Sequence, residues 1–155
     1  MASYYRLQAA TQSHQGAIKA LVRAARINPL GLDWRRFVVA LDEKGAVIGC
    51  GQIKPYRDGS WELASIAVTP AWRDQGVARA VIEHLLDSSP HPLWLTCVSP
   101  LVLFYTRFSF REVTNLAEMP PYFRWVGQLF RLLAYLSSAN SLSVMRYEGD
   151  RVGKI

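Results

Sequence analysis

The chain has 155 residues, half of them hydrophobic and 19% charged, with a formal net charge of +6. That length fits a single domain with its own core, residues 1–155, and that composition excludes a disordered chain. No apolar run reaches the roughly 18 residues of a spanning helix, and the start Met-Ala-Ser-Tyr-Tyr-Arg lacks the pattern of a secretory signal, so a cytoplasmic protein is expected.

Cys50 and Cys97 stand in apolar strand-like runs without metal-site spacing, which predicts reduced thiols. The basic balance suits an acidic ligand or partner, but the arginines are scattered singly rather than clustered with aromatics, so nucleic acid is not expected.

Tyr4 to Leu7 reads as a first strand. Between Thr11 and Arg26, Ile18, Leu21, Val22 and Ala25 form a helical stripe that Asn28-Pro29 ends. Leu30-Gly-Leu-Asp-Trp34 is a loop or a short helix, because Pro29 and Gly31 interrupt regular structure. Phe37 to Leu41 and Ala46 to Lys54 are β-rich runs joined by Asp42-Glu-Lys-Gly45, the pattern of a hairpin. Pro55 to Ser60, with Asp58-Gly59, is a further turn, after which Trp61 to Val68 supplies the third strand of an antiparallel meander.

Next comes Ile66-Ala-Val-Thr-Pro-Ala-Trp-Arg-Asp-Gln-Gly-Val-Ala78, running into an apolar-periodic segment from Arg79 to Leu86. It predicts a strand, a turn and a helix start. The first N–H groups of a helix lack intrahelical partners and carry about half a positive charge, which suits a phosphate or pyrophosphate. Gly76 lets a ligand approach the backbone closely. A dinucleotide fingerprint and a Walker pattern are both absent from the sequence.

Pro90-His-Pro92 marks a loop, Leu93 to Val98 a short buried strand, and Pro100 to Phe108 a helix with proline in its first turn. Arg111 to Leu116 and Ser143 to Tyr147 read as closing strands around an apolar insertion, residues 119–142. Within it Tyr122, Trp125, Val126, Leu129, Leu132, Leu133 and Leu136 recur at helical spacing opposite Arg124, Gln128, Arg131 and Tyr135. This is an amphipathic helix, its apolar face widened by Phe123 and Phe130. It packs across the open end of the sheet, walls a pocket together with Leu30 to Trp34, or meets a partner. A membrane surface is disfavoured by its two arginines.

Arg73-Asp-Gln-Gly-Val-Ala78 matches the turn [Arg/Gln]-x-x-Gly-x-[Gly/Ala], and Phe104-Tyr-Thr-Arg-Phe-Ser-Phe110 matches Phe-Tyr-x-[Arg/Lys]-x-Gly-Phe. On these two motifs, in this order and in this context, the chain from Tyr4 to Tyr147 resembles the GNAT superfamily of acetyl-CoA-dependent N-acetyltransferases. Two departures stand out. Ser109 replaces the usual glycine, suggesting a turn without a strongly left-handed residue, and Val98 replaces a frequent asparagine, for which the adjacent Ser99 could substitute.

The resemblance implies an α/β fold of the α+β type, with a mixed, mostly antiparallel sheet of six or seven strands flanked by helices. It also implies acetyl-CoA as cosubstrate, its amide-bearing arm added like a strand along Ile66, Ala67 and Val68. The diphosphate then sits on Arg73, Asp74, Gln75, Gly76, Val77 and Ala78, with Arg73 or Arg79 offering charge and Ser99 a further contact. Tyr105 takes the place of the family's acid for the leaving thiolate. Glu62, six residues before Val68, resembles the glutamate base of certain members, and strand alternation groups it with Ala64, Ile66 and Val68. A solvent-exposed strand-end carboxylate is the other reading of Glu62.

The implied reaction is direct attack of a primary amine on the thioester in a ternary complex, the acceptor being a small amine, a peptide N-terminus or a lysine. Asp33, Glu62 and Glu118 are acidic candidates for contacting it. A non-catalytic acyl-CoA-binding or interaction module is the alternative, and the oligomeric expectation is monomer or homodimer. Ser65 and His84 lack a nucleophile elbow, and His14 and His91 belong to no ligand cluster, so neither hydrolysis nor a metal is expected.

Overall fold

The computed structural model describes residues 4–136 and 141–149. Among them are seven strands and four α-helices. The strands follow the order β1-β2-β3-β4-β5-β7-β6. The chain divides into two compact units, residues 1–54 with 63–89, and residues 55–62 with 90–155. Strand β4 passes from the second into the first between Glu62 and Leu63.

The first unit holds β1 (Tyr5–Ala9), α1 (Gln15–Ala24), β2 (Phe37–Asp42), β3 (Val47–Pro55), most of β4 (Trp61–Val68) and α2 (Val77–Asp87). β1 and β2 are antiparallel with Leu7 opposite Ala40, and β2 and β3 likewise with Val39 opposite Cys50. Ile18, Leu21 and Val22 form the stripe read from the sequence, buried with Phe37, Val39, Leu41, Cys50 and Ala67.

Side chains alternate along β3, so Cys50 joins the core under α1 while Gly49 and Gly51 turn to α2. A methyl group on Gly51 would lie 2.5 Å from Ile66 Cδ1 and 2.8 Å from Val81 Cγ1, and one on Gly49 2.7 Å from Val77 Cγ1. Bare backbone at these two positions lets α2 bury Val77, Val81, Ile82 and Leu85 at close range.

In the second unit are β5 (Leu93–Val98), α3 (Val102–Thr106), β6 (Arg111–Val113), α4 (Pro121–Leu136) and β7 (Leu142–Tyr147). β7 lies between β5 and β6, antiparallel to both, with Met145 opposite Leu95 on one side and Glu112 on the other. The start of β4 pairs in parallel with β5, Glu62 opposite Trp94. Trp94, Val113, Met119, Phe123 and Val144 form its core. β6 stops short of Leu116 because Asn115 turns the chain, its side chain accepting the Ala117 N–H at 3.0 Å.

Three sequence expectations are corrected. Ser65 has φ 59°, so the two-residue alternation of β4 breaks there, and Ile66 and Val68 do not share a face with Glu62 by counting. Only part of the apolar face assigned to α4 is buried: Phe123 and Val126 are its buried residues, while Trp125 is 60% and Leu136 72% exposed. The helix docks through its first turns, Phe123 lying 5.6 Å from the Trp94 ring, and the remainder extends past the core. The expected insertion also includes residues 137–140, which lie outside the described residues.

Ser109 is the third. It adopts φ 69°, the left-handed conformation that the sequence reading had denied it. The end of α3 requires it, because Ser109 N–H donates to Thr106 O at 3.0 Å and Phe110 N–H to Tyr105 O at 3.4 Å. These are the paired bonds of a Schellman ending, completed by contact of the Tyr105 and Phe110 rings at 6.1 Å.

Candidate functional site

In the first unit the phosphate-type turn leaves β4 through a single helical turn, Pro70–Trp72. It is braced from within, since Gln75 Nε2 donates to Ala71 O at 3.0 Å and Tyr5 packs edge-on against Trp72 while its hydroxyl donates to Gly76 O at 3.4 Å. Asp74 and Gly76 both have positive φ, 60° and 80°, which swings the chain into the start of α2. The Ala80 N–H bonds back to Gly76 O at 3.0 Å, so the N–H groups of Val77, Ala78 and Arg79 precede the first intrahelical bond.

Such an arrangement is suited to an anion. A Cβ built on Gly76 meets nothing within 4 Å, leaving the backbone open to a ligand. Arg73 is exposed beside it. Arg79 is exposed as well and pairs with Glu83 at 2.9 Å, a surface ion pair weak enough to exchange for a phosphate.

In the second unit Glu62 is 6% exposed, which rules out the solvent-carboxylate reading. The Tyr56 hydroxyl donates to Glu62 Oε1 at 3.2 Å. The Tyr122 ring, from the first turn of α4, stacks on Tyr56 with centroids 3.8 Å apart and an interplanar angle of 18°. Burial, then the Glu62 charge, pushes the Tyr56 phenol far above its ordinary range; burial also raises Tyr122. Both phenols therefore stay protonated across neutral pH.

The helix that brings Tyr122 is fastened to the β3–β4 turn. Asp58 Oδ2 accepts the Tyr122 N–H at 3.0 Å, and Asp58 Oδ1 accepts the Ser60 N–H at 2.8 Å. Pro121 opens the helix, where a missing N–H costs nothing, and Asp58 serves the next N–H as a cap from outside the helix. Sequence reasoning assigned Tyr56 and Asp58 only to a turn. Their signal was the six-residue step from Tyr56 to Glu62 across a tight hairpin, whose Tyr56 N–H bonds Ser60 O at 2.9 Å.

Tyr105 lies on α3 in a separate ring cluster of the same unit, edge-on to Phe104 at 5.1 Å. Desolvation, then Cys97, raises its phenol well above the usual value. Burial, then Glu112, lifts the Cys97 thiol to about 11, and burial lifts the Cys50 thiol to about 12. Neither is a thiolate nucleophile at neutral pH. Ser99, the expected substitute for asparagine, donates its N–H to Ser141 O at 3.0 Å and its hydroxyl to the same oxygen at 2.8 Å.

The remaining candidates are engaged locally. Asp33 accepts the Arg35 N–H at 3.0 Å, which with the Arg35 charge holds its carboxyl below the usual range. Glu118 and His84 are exposed, and His14 Nδ1 accepts the Thr11 N–H at 3.0 Å. Ser65 Oγ meets the fully buried Gln52, whose Nε2 lies 2.9 Å away and also donates to Gly31 O at 3.2 Å. Lys54 Nζ donates to Leu30 O at 3.0 Å, so β3 straps down the 30–32 loop. Among the described residues no group of three or more His, Cys, Asp or Glu is placed to hold a metal, and no helix is long and apolar enough to cross a membrane.

Known structures share this fold. An N-acetylglutamate synthase from Neisseria gonorrhoeae complexed with coenzyme A and N-acetyl-glutamate superposes with a TM-score of 0.72 at 16% identity, covering 96% of this chain and 36% of its own. This chain thus spans about a third of that synthase. The Mycobacterium tuberculosis protein Rv2747, in complex with CoA, gives 0.70 at 22% identity over 92% of this chain and 98% of its own. The ribosomal-protein-S18-alanine N-acetyltransferase from Escherichia coli gives 0.63 at 16% identity, with 97% of each chain covered. These likenesses establish the fold. Residues 4–110 match the acetyltransferase (GNAT) family, and the chain belongs to that family.

Proposed function

We propose that this protein transfers the acetyl group of acetyl-CoA to a primary amine by direct attack in a ternary complex. The observation that carries the reading is Glu62, a buried carboxylate held by a phenol on a strand that leads into an anion-binding turn. Coenzyme A lies with its amide-bearing arm along Ile66, Ala67 and Val68 and its diphosphate on the turn from Arg73 to Ala78. Ser99 contributes by exchanging its bonds to Ser141 O for the cofactor.

An amine acceptor arrives largely as ammonium, since lysine titrates near 10.4 and an α-amine near 8. Glu62 takes that proton, directly or through water. The neutral nitrogen attacks the thioester carbonyl, forming the C–N bond, and collapse of the tetrahedral intermediate breaks the C–S bond. Tyr105, kept protonated by burial, donates to the departing sulfur, and the proton released from the amine restores the balance. The products are the acetamide and CoA thiol. The acceptor is a small amine, a peptide N-terminus or a lysine side chain, and the protein acts as monomer or homodimer in the cytoplasm.

A mass-resolved acetylation screen over amines, peptides and polyamines, with thiol release measured in parallel, tests the reading. Amine-dependent thiol release that falls about 100-fold or more in Glu62→Gln is expected. CoA binding with no acetylated product from any acceptor would instead identify a non-catalytic acyl-CoA-binding module.

A further inference from the structure

Glu62 does not stand alone in its pocket, and its neighbours come from elements that the acetyltransferase reading does not use. Tyr56, at the end of β3, offers it a hydroxyl at 3.2 Å. Tyr122, sixty-six residues further along the chain, covers the Tyr56 ring at 3.8 Å and is itself held by Asp58 through its backbone N–H. Phe123 closes the cluster edge-on to Tyr56 at 5.8 Å, while stacking on Trp94, the residue opposite Glu62 in the sheet.

We infer that Tyr56, clamped by Tyr122, is a positioning residue that fixes the orientation and ionisation of Glu62. The inference rests on Glu62 being the base. A carboxylate buried in an aromatic pocket is driven toward its neutral form by desolvation, and a neutral carboxyl group cannot accept a proton from an ammonium. A phenol that donates to it favours the charged form and holds one oxygen in place. The clamp matters because a Tyr56 side chain free to swing to another χ1 rotamer would carry its hydroxyl away from the 3.2 Å contact, and the stack with Tyr122 opposes that swing. The α4 helix thus acts on the base through two rings, without touching the cofactor turn.

Two charged groups near this pocket have partners of their own. Asp58 is committed to Ser60 and Tyr122, and Arg146 on β7 lies 5.5 Å from the Trp94 ring while pairing with Glu148 at 2.7 Å. Removal of the Tyr56 oxygen alone leaves the rings and these pairs intact.

The test is a carbon-detected NMR titration of protein carrying 13C-labelled glutamate carboxyl groups, with the Glu62 signal assigned by its loss in Glu62→Gln. In Tyr56→Phe the Glu62 midpoint should rise by about one pH unit or more, the effect of one hydrogen bond to a charged acceptor. Tyr122→Phe, which keeps the stack, should move it less than Tyr122→Ala. An unchanged midpoint in Tyr56→Phe overturns the inference, and that variant conserves shape, so loss of folding does not confuse the outcome. Turnover then separates the two claims. A raised midpoint accompanied by an equal rise in the acid limb of kcat/KM supports both; a raised midpoint with an unmoved limb keeps the positioning role and sinks Glu62 as the base.

Discussion

Replacing Ser109 by glycine should stabilise the protein. Ser109 is exposed, so truncation removes no packing, and its φ of 69° is one that an L side chain resists. The left-handed conformation costs a non-glycine residue roughly 1–2 kcal/mol, against roughly 0.5–1 kcal/mol for the greater freedom of glycine in the unfolded chain. The net gain is about 0.5–1 kcal/mol. At this chain length each kcal/mol is about 2–4 °C, so the melting temperature should rise by about 1–4 °C. Differential scanning calorimetry on Ser109→Gly and Ser109→Val resolves it, the valine variant melting below the parent because a β-branched side chain resists this conformation most. A glycine variant that melts no higher than the parent, with valine tolerated, would refute the account of this turn.

Gly76→Val should weaken CoA binding about tenfold or more, since a β-branched residue at φ 80° pulls the turn out of shape; an unchanged Kd by calorimetry contradicts the anion seat. Phe123→Ala should cost about 3–5 kcal/mol in denaturant unfolding, because Phe123 is completely buried and holds α4 against Trp94. Asp58→Ala should cost about 1 kcal/mol by loss of a cap. Desolvation raises the Asp58 carboxyl, but its hydrogen bonds from Ser60 and Tyr122 outweigh this and leave it below the ordinary value. Its contribution is therefore fully present above the unfolded pKa near 3.9 and lost as pH falls through the depressed folded value. Parent and Asp58→Ala stabilities should converge in acid, and a constant gap down to that range would be the contrary result.

The sequence made the succession of elements readable because each is governed by local pattern: the α1 stripe, the hairpin turn after Asp42, and glycine at the start of α2. The same holds for the turn from Arg73 to Ala78, a motif whose neighbours in sequence are its neighbours in space. What escaped is long-range. The bend of β4 at Ser65 is met by Gln52 from β3, so no count along β4 alone could foresee it. The pocket of Glu62 is closed by Tyr122, whose place depends on Asp58 reaching across from a hairpin. The α4 stripe misled because apolar periodicity reports that a helix is two-faced, not how much of its length finds a partner. At Ser109 the identity of the residue argued against a left-handed turn, yet the Schellman bonds and the ring contact override that preference.

The paired glycines of β3 reach beyond packing. α2 is a stiff rod of eleven residues resting on bare backbone at Gly49 and Gly51, and its first turn presents the backbone donors of the anion seat. A methyl group at Gly51 would press on Val81 and tilt that rod about its middle, while one at Gly49 would press on Val77 at its start. Either displacement would mis-aim the N–H groups of the first turn. Substitution in the floor of the sheet would thus be felt as a change in affinity for coenzyme A.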